Sequence, residues 1–129
     1  MKGTKEFENK EQRATERHGI QVDGREHLFK LKSQQGSFPI TDIQDVSVSG
    51  MGLEASTAFN KGTGVMLNYS EGDFDMDIQA TIIWCNPLSD ENKFALGIEF
   101  DAANGGNNSL FFLAMRKYLD EFDGVTMDT

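Results

Sequence analysis

At 129 residues, the chain has the length of one domain, which on folding buries roughly two-thirds of the surface its unfolded form exposes. Its single cysteine, Cys85, excludes an internal disulfide framework and a cysteine-rich zinc site, and no apolar run approaches the roughly 18 residues of a membrane span. The net charge of −9 is unevenly distributed: residues 1–33 hold eight Lys/Arg against six Asp/Glu, the remainder four against fifteen. Such an acidic body repels polyanions, so a nucleic acid polymer is not an expected partner, whereas a small anion held by local arginines is. Without a basic-then-apolar leader the expectation is a soluble, cytoplasmic protein that does not insert into membranes.

Residues 1–17 are polar and aperiodic, with Phe7 the one large apolar side chain; they are expected to form a mobile arm. From Ile20 the pattern is two-fold, Ile20 and Val22 followed by a bend at Asp23-Gly24 and then His27, Phe29 and Leu31, and predicts one long bent strand. Gln34-Gln35-Gly36-Ser37 signals a turn, after which Phe38, Ile40, Ile43 and Val46 mark a strand. Met51 to Ala55 and Val65 to Tyr69 are two further strands, joined by a connector containing Lys61-Gly62-Thr63-Gly64. The longest clean alternation is Phe74, Met76, Ile78, Ala80, Ile82 and Trp84, which predicts a strand with that face on the core until Asn86-Pro87 breaks it. After a polar loop over Ser89 to Lys93, Phe94 to Phe100 is the last strand.

The period then changes. Phe111, Ala114, Met115, Tyr118, Leu119 and Phe122 fall at helical spacing, with capping side chains at Asn107 to Ser109 and a stop at Gly124. Short strands followed by one helix predict a mainly β fold, a small antiparallel barrel with a C-terminal α-helix and a flexible N-terminal arm. The domain expected is 13–124, with 1–12 as arm and 125–129 as tail.

Two short pieces carry chemistry. Arg13-Ala14-Thr15-Glu16-Arg17 reads R-x-x-x-R, and Asp45-Val46-Ser47-Val48-Ser49-Gly50 reads D-x-S-x-x-G at a strand-to-strand turn. A guanidinium fork matches guanine O6 and N7 with two parallel hydrogen bonds, pairs with phosphate and stacks on purines. Asp45 and Ser47, two apart on an extended backbone, emerge on one face; a carboxylate there accepts from guanine N1–H and its amine. Gly50 offers positive φ in the turn, and Gly50 with Gly52 lets a base approach the backbone closely. Singly, the first piece reads as a solvated charged pair and the second as an Asx turn.

Together, with the strands Ala80-Thr81-Ile82-Ile83-Trp84 and Leu96-Gly97-Ile98-Glu99-Phe100 and the final helix, they resemble the PilZ domain family over residues 10 to 122. The resemblance implies a six-stranded barrel and a receptor for the bacterial second messenger cyclic di-GMP, with Arg13, Arg17, Asp45, Ser47 and Gly50 as ligand contacts and His18, Gly52 and Gly97 as secondary candidates. It implies no cofactor beyond that ligand, no catalysis, and a protein partner, in motility or biofilm regulation, that reads occupancy. The arm is expected to wrap onto the barrel when ligand bridges it to Asp45 and Ser47. Many members carry a basic residue before the first arginine, which is related to uptake of two stacked ligands; Gln12 stands there, so one ligand per chain is expected. The alternative within the family is an adaptor that works without nucleotide; a hydrolase finds no paired acid and base.

Other constellations have plainer explanations. Asp73, Asp75 and Asp77 begin like a calcium loop, but Ile78 and Trp84 stand where glycine and glutamate are required, leaving the solvated side of a strand. Gly62-x-Gly64 lacks the strand and helix of a phosphate loop, and His18 and His27 lack partners at metal-ligand spacing, so no metal site is expected. Cys85 reads as a buried structural thiol. The helix stripe reads as core, with Phe112 and Arg116 as its outward contacts.

Overall fold

The structure is a computed structural model that describes residues 17–89 and 92–119. Residues 1–16, which include Arg13, Gln12 and the expected arm, lie outside the described residues, as do Phe122 and Gly124. The strands are β1 (His18–Gly19), β2 (Phe29–Ser33), β3 (Gly36–Val46), β4 (Gly50–Ala55), β5 (Gly64–Glu71), β6 (Phe74–Pro87) and β7 (Phe94–Phe100), followed by helix α1 (Gly105–Met115) and a 3-10 turn, Arg116–Tyr118. The sheet order β3-β2-β5-β6-β7-β4, closed by β4 pairing back to β3, makes a six-stranded antiparallel barrel. Closure puts one face of every strand inside, where Phe29, Leu31, Leu53, Leu67, Ile78, Ile82, Leu96 and Ile98 are at most 1% exposed. Phe111 and Met115 of α1, both fully buried, join the same core.

The turns follow residue chemistry. Ser33 pairs with Gly36 across a two-residue loop, with Gly36 at φ 138 and the Gln35 N–H donating to Ser33 Oγ at 3.1 Å. Glu71 pairs with Phe74 across Gly72-Asp73, with Gly72 at φ 62, the glycine-first pattern that suits the right-handed twist of the flanking strands.

Strand β3 is the most irregular. Its buried residues Ile40, Ile43 and Val46 recur every third position, which an unbroken strand cannot do. Register shifts between Ile40 and Asp42 and between Ile43 and Asp45 insert one unpaired residue each, Thr41 and Gln44, and these two bulges bring the apolar set back to the core while bending the strand around the barrel.

Several expectations are corrected. Of the long bent strand over Ile20 to Leu31 only the part from Phe29 is strand, in β2; before it come a bridge from Ile20 to Leu119, a turn with Gly24 at φ 80, and a 3-10 turn, Glu26–Leu28. The Arg25 N–H donates to Val22 O at 2.7 Å, which closes that turn and leaves His27 exposed. Strand β6 keeps Met76, Ile78, Ala80 and Ile82 inside, but a bulge between Ile82 and Trp84 breaks the alternation. Trp84 is 39% exposed and Phe74, at the hairpin tip, 40%; Cys85 is only half-buried. Helix α1 begins at Gly105, so Asn107 to Ser109 lie within it and do not cap it. Asn108 is buried, and its Nδ2 donates to Asp101 O at 2.9 Å. The helix faces solvent with Leu110 and Leu113, while Phe112 is half-buried against the core.

Candidate functional site

The bulge at Gln44 sets the aim of Asp45. Its carboxylate folds over β4, where Oδ1 accepts from the Gly52 N–H at 3.1 Å, and a Cβ on Gly52 would come within 2.9 Å of that oxygen. Only glycine allows so close an approach. The same oxygen accepts from Arg17 Nε at 2.9 Å and lies 2.8 Å from Arg17 Nη2, so all three contacts fall on Oδ1. With the Arg17 and Asp45 side chains 44% and 35% exposed, the pair is a solvated one, worth about 0–1 kcal/mol to the fold.

A row of pairings extends from this corner across the outside of the barrel. Gly19 of β1 pairs with Asp45, Asp45 with Gly52 of β4, Gly52 with Gly97 of β7, and Gly97 with Trp84 of β6. Gly97 stands two residues from exposed Glu99, which fixes the outward direction. A Cβ built on Gly97 would run into the Trp84 indole at Nε1 and Cε2 and would lie 2.8 Å from Cδ1, so the ring occupies the space a side chain there would take. Gly52 and Gly97, both buried, thus form a floor without side chains of its own, covered by the Asp45 carboxylate over Gly52 and by the Trp84 indole over Gly97, with the Arg17 guanidinium beside Asp45. Gly97 and Asp45 are two strand spacings apart, roughly 10 Å. Charge, hydrogen-bonding capacity and a π face on a flat surface are what a polar heteroaromatic anion requires.

The other nominated residues take different places. Ser47 is fully buried just past the end of β3: its Oγ accepts from the Ser49 N–H at 3.2 Å and lies 3.4 Å from Gly50 O, while its own N–H donates to Gly50 O at 2.9 Å. It ties the β3–β4 turn that holds Asp45. Gly50 does not adopt positive φ, contrary to the expectation; its Cβ would meet Ile98 O of β7 at 2.5 Å, so the absence of a side chain serves close strand packing. His18 packs on Phe112 of α1, ring centroids 5.7 Å apart. Sequence reasoning placed Trp84 in the core; the signal for its actual position was Gly97, a glycine inside an otherwise apolar strand, which marks close approach by another group.

Elsewhere, a cleft of about 630 Å³ runs over β2, β5 and β6, lined by residues including Lys32, Met66, Asp77, Gln79 and Thr81; it is remote in sequence and register from the Asp45 corner. Among the described residues no cluster of three or more His, Cys, Asp or Glu could hold a metal ion, and no helix is long and apolar enough to cross a membrane.

A family model described as the PilZ domain matches residues 11–112. The chain belongs to the PilZ domain family. Among solved structures it is similar to the complex of K. pneumonia MrkH with c-di-GMP, at a TM-score of 0.53 and 16% identity over 77% of this chain. This PilZ chain spans half the length of that protein, and at such identity the likeness speaks for the fold. No curated protein matches.

Proposed function

We propose that this PilZ domain is a receptor for cyclic di-GMP, bound on the outer face of the barrel at the corner made by Arg17, Asp45, Gly52, Gly97 and Trp84. The observation that carries the proposal is that the glycines Gly52 and Gly97 let a partly exposed Trp84 ring and the partly exposed Arg17–Asp45 pair lie low on neighbouring strands of one outer face. Family membership supports it, as does the ligand named for the MrkH complex. In this reading a guanine stacks on the exposed part of the Trp84 ring, Asp45 Oδ2 accepts from its N1–H or amine, and Arg17 addresses its O6 and N7 edge or a phosphate. Arg13 joins from the arm, one ligand is taken per chain, and Ser47 acts by fixing the turn. Ordering of the arm is the signal offered to a protein partner.

Titration calorimetry of cyclic di-GMP into the protein, beside Arg13→Ala, Arg17→Ala and Asp45→Ala, tests this, with cyclic di-AMP as the base control. The expected result is micromolar or tighter binding, about −8 kcal/mol, lost in Asp45→Ala and absent for the adenine analogue. A silent titration of the unaltered protein at high ligand concentration refutes it.

A further inference from the structure

The segment that follows Arg17 connects the Asp45 corner to the far end of helix α1. His18 and Gly19 pair with Val46 and Asp45. The next two residues leave β3 for the helix terminus: Ile20 bridges Leu119, and the Gln21 N–H donates to Tyr118 O at 2.8 Å. The His18 ring rests on Phe112 in the middle of α1. Ile20 is 5% exposed and Tyr118 8%, so this junction is built into the core.

Only Asn108, Phe111 and Met115 of helix α1 are buried, with Phe112 and Ala114 half-buried against the core beside them, while Leu110 and Leu113 are about half exposed, at 49% and 55%. Its last turn is 3-10, closed by the Leu119 N–H donating to Arg116 O at 3.2 Å, a geometry with weaker hydrogen bonds than the α-helix. The terminus is then held on the β5 side, by the Tyr118 hydroxyl 3.2 Å from that of Tyr69 and by Lys117 Nζ donating to Glu71 Oε1 at 2.7 Å, and on the other side by the backbone of Ile20 and Gln21.

We propose that His18–Gln21 is a coupling strap through which the state of the Arg17–Asp45 corner sets the stability of the α1 terminus, Arg116–Leu119. The cyclic di-GMP reading supplies the effector; the coupling itself rests on the strap's contacts. With Arg17 held to Asp45 the strap is pinned at both ends, and strap and helix terminus open as one unit. Release at the corner leaves the terminus with one anchor fewer. Ligand that clamps Arg17 against β3 tightens the same unit, and linkage requires that loosening the terminus weaken the ligand by the same factor.

The test is amide hydrogen exchange on the unaltered protein, Asp45→Ala and Gln21→Pro, with and without cyclic di-GMP, together with affinities by calorimetry. Proline at 21 removes the N–H given to Tyr118 O, and its preference for an extended preceding residue suits Ile20 in its bridge. In Asp45→Ala without ligand, the Gln21 and Leu119 amides should exchange faster, by up to about fivefold, the limit set by a solvated ion pair, with β5 and β6 unchanged. Ligand should slow the same amides in the unaltered protein, and Gln21→Pro should bind cyclic di-GMP at least about fivefold more weakly. Should Gln21→Pro not fold, Phe112→Ala, which deletes the ring under His18, should weaken the ligand in the same direction. Unchanged exchange at the terminus in Asp45→Ala, or undiminished affinity in a folded strap variant, overturns the strap. Absence of binding by the unaltered protein refutes the ligand reading instead, and the ligand-free exchange of Asp45→Ala then decides the strap alone.

Discussion

Gly97→Ala tests the floor of the site without touching a charged group. The new methyl takes the space of the Trp84 indole, and since that ring is already 39% exposed it has room to swing into solvent. An aromatic side chain offers at most about 250 Å², so roughly 150 Å² of Trp84 is now covered, and lifting it from Gly97 exposes about half of that. At about 25 cal/mol/Å² the loss is about 2 kcal/mol, partly offset by the roughly 0.4–1 kcal/mol that Gly→Ala gains by restricting the unfolded chain. The expected net cost is therefore about 1–1.5 kcal/mol, or roughly 4–6 °C in melting temperature. Trp84 is the sole tryptophan, so its emission reports the displacement directly and should shift to the red. The decisive comparison is made in a Trp84→Ala background, where the same glycine substitution should cost nothing or stabilise. Equal destabilisation in both backgrounds would show that Gly97 is required for some reason other than the indole.

At Gly50 the obstruction is the Ile98 carbonyl, a backbone atom that cannot swing aside. Gly50→Ala should accordingly cost about 1–3 kcal/mol or more in denaturant unfolding, and a cost under about 0.5 kcal/mol would contradict the close packing of β4 on β7. Ser47→Ala deprives the Ser49 N–H of its acceptor inside the turn and should destabilise by about 1–2 kcal/mol; Ser47→Gly should do no better, because the hydroxyl is what the turn lacks in both. Glu71 accepts from Lys117 Nζ at 2.7 Å and from the Tyr69 hydroxyl at 2.6 Å, and these bonds, Lys117 first, hold its carboxyl below the ordinary carboxylate value. A lowered folded-state pKa gives stability that is present above the ordinary value and lost as pH falls through the folded one. The advantage of the natural protein over Glu71→Gln in thermal melts should thus be seen at neutral pH and shrink on the acid side of the ordinary carboxylate range; a gap that persists at low pH would mean the charge of Glu71 is not its source.

What could be read from the residues alone was whatever depends on near neighbours in sequence. Met76 to Ile82 alternate because both faces of β6 are uniform there, and Gln34 to Gly36 turn because Gly36 supplies its own backbone freedom. The misreadings occur where a distant partner decides. Trp84 continues the alternation in the sequence and departs from it in the fold, because the pairing of β6 with β7 skips Ile83. Ser47 shares the parity of Asp45, yet β3 ends at Val46 and the chain turns inward before that parity can act. Ile40, Ile43 and Val46 announced a strand by their composition and its bulges by their spacing of three. The two arginines and Asp45 were conspicuous as chemistry, and the family they pointed to is the one that matches. The floor between Asp45 and Trp84 was not legible, since Gly52 and Gly97 lie far apart in the chain and become a surface only through the register of β4 on β7.

Strand β3 changes partners along its length. Gly36 to Pro39 pair with β2, but β2 has diverged before Asp45, and there the vacated side of β3 is occupied by the two residues of β1. Those two residues close what would otherwise be a short open edge of unpaired N–H and C=O groups, the kind of edge along which separate molecules add strands to one another. The root of the arginine-bearing segment therefore also covers this stretch of edge, with the same few hydrogen bonds that hold Gly19 opposite Asp45.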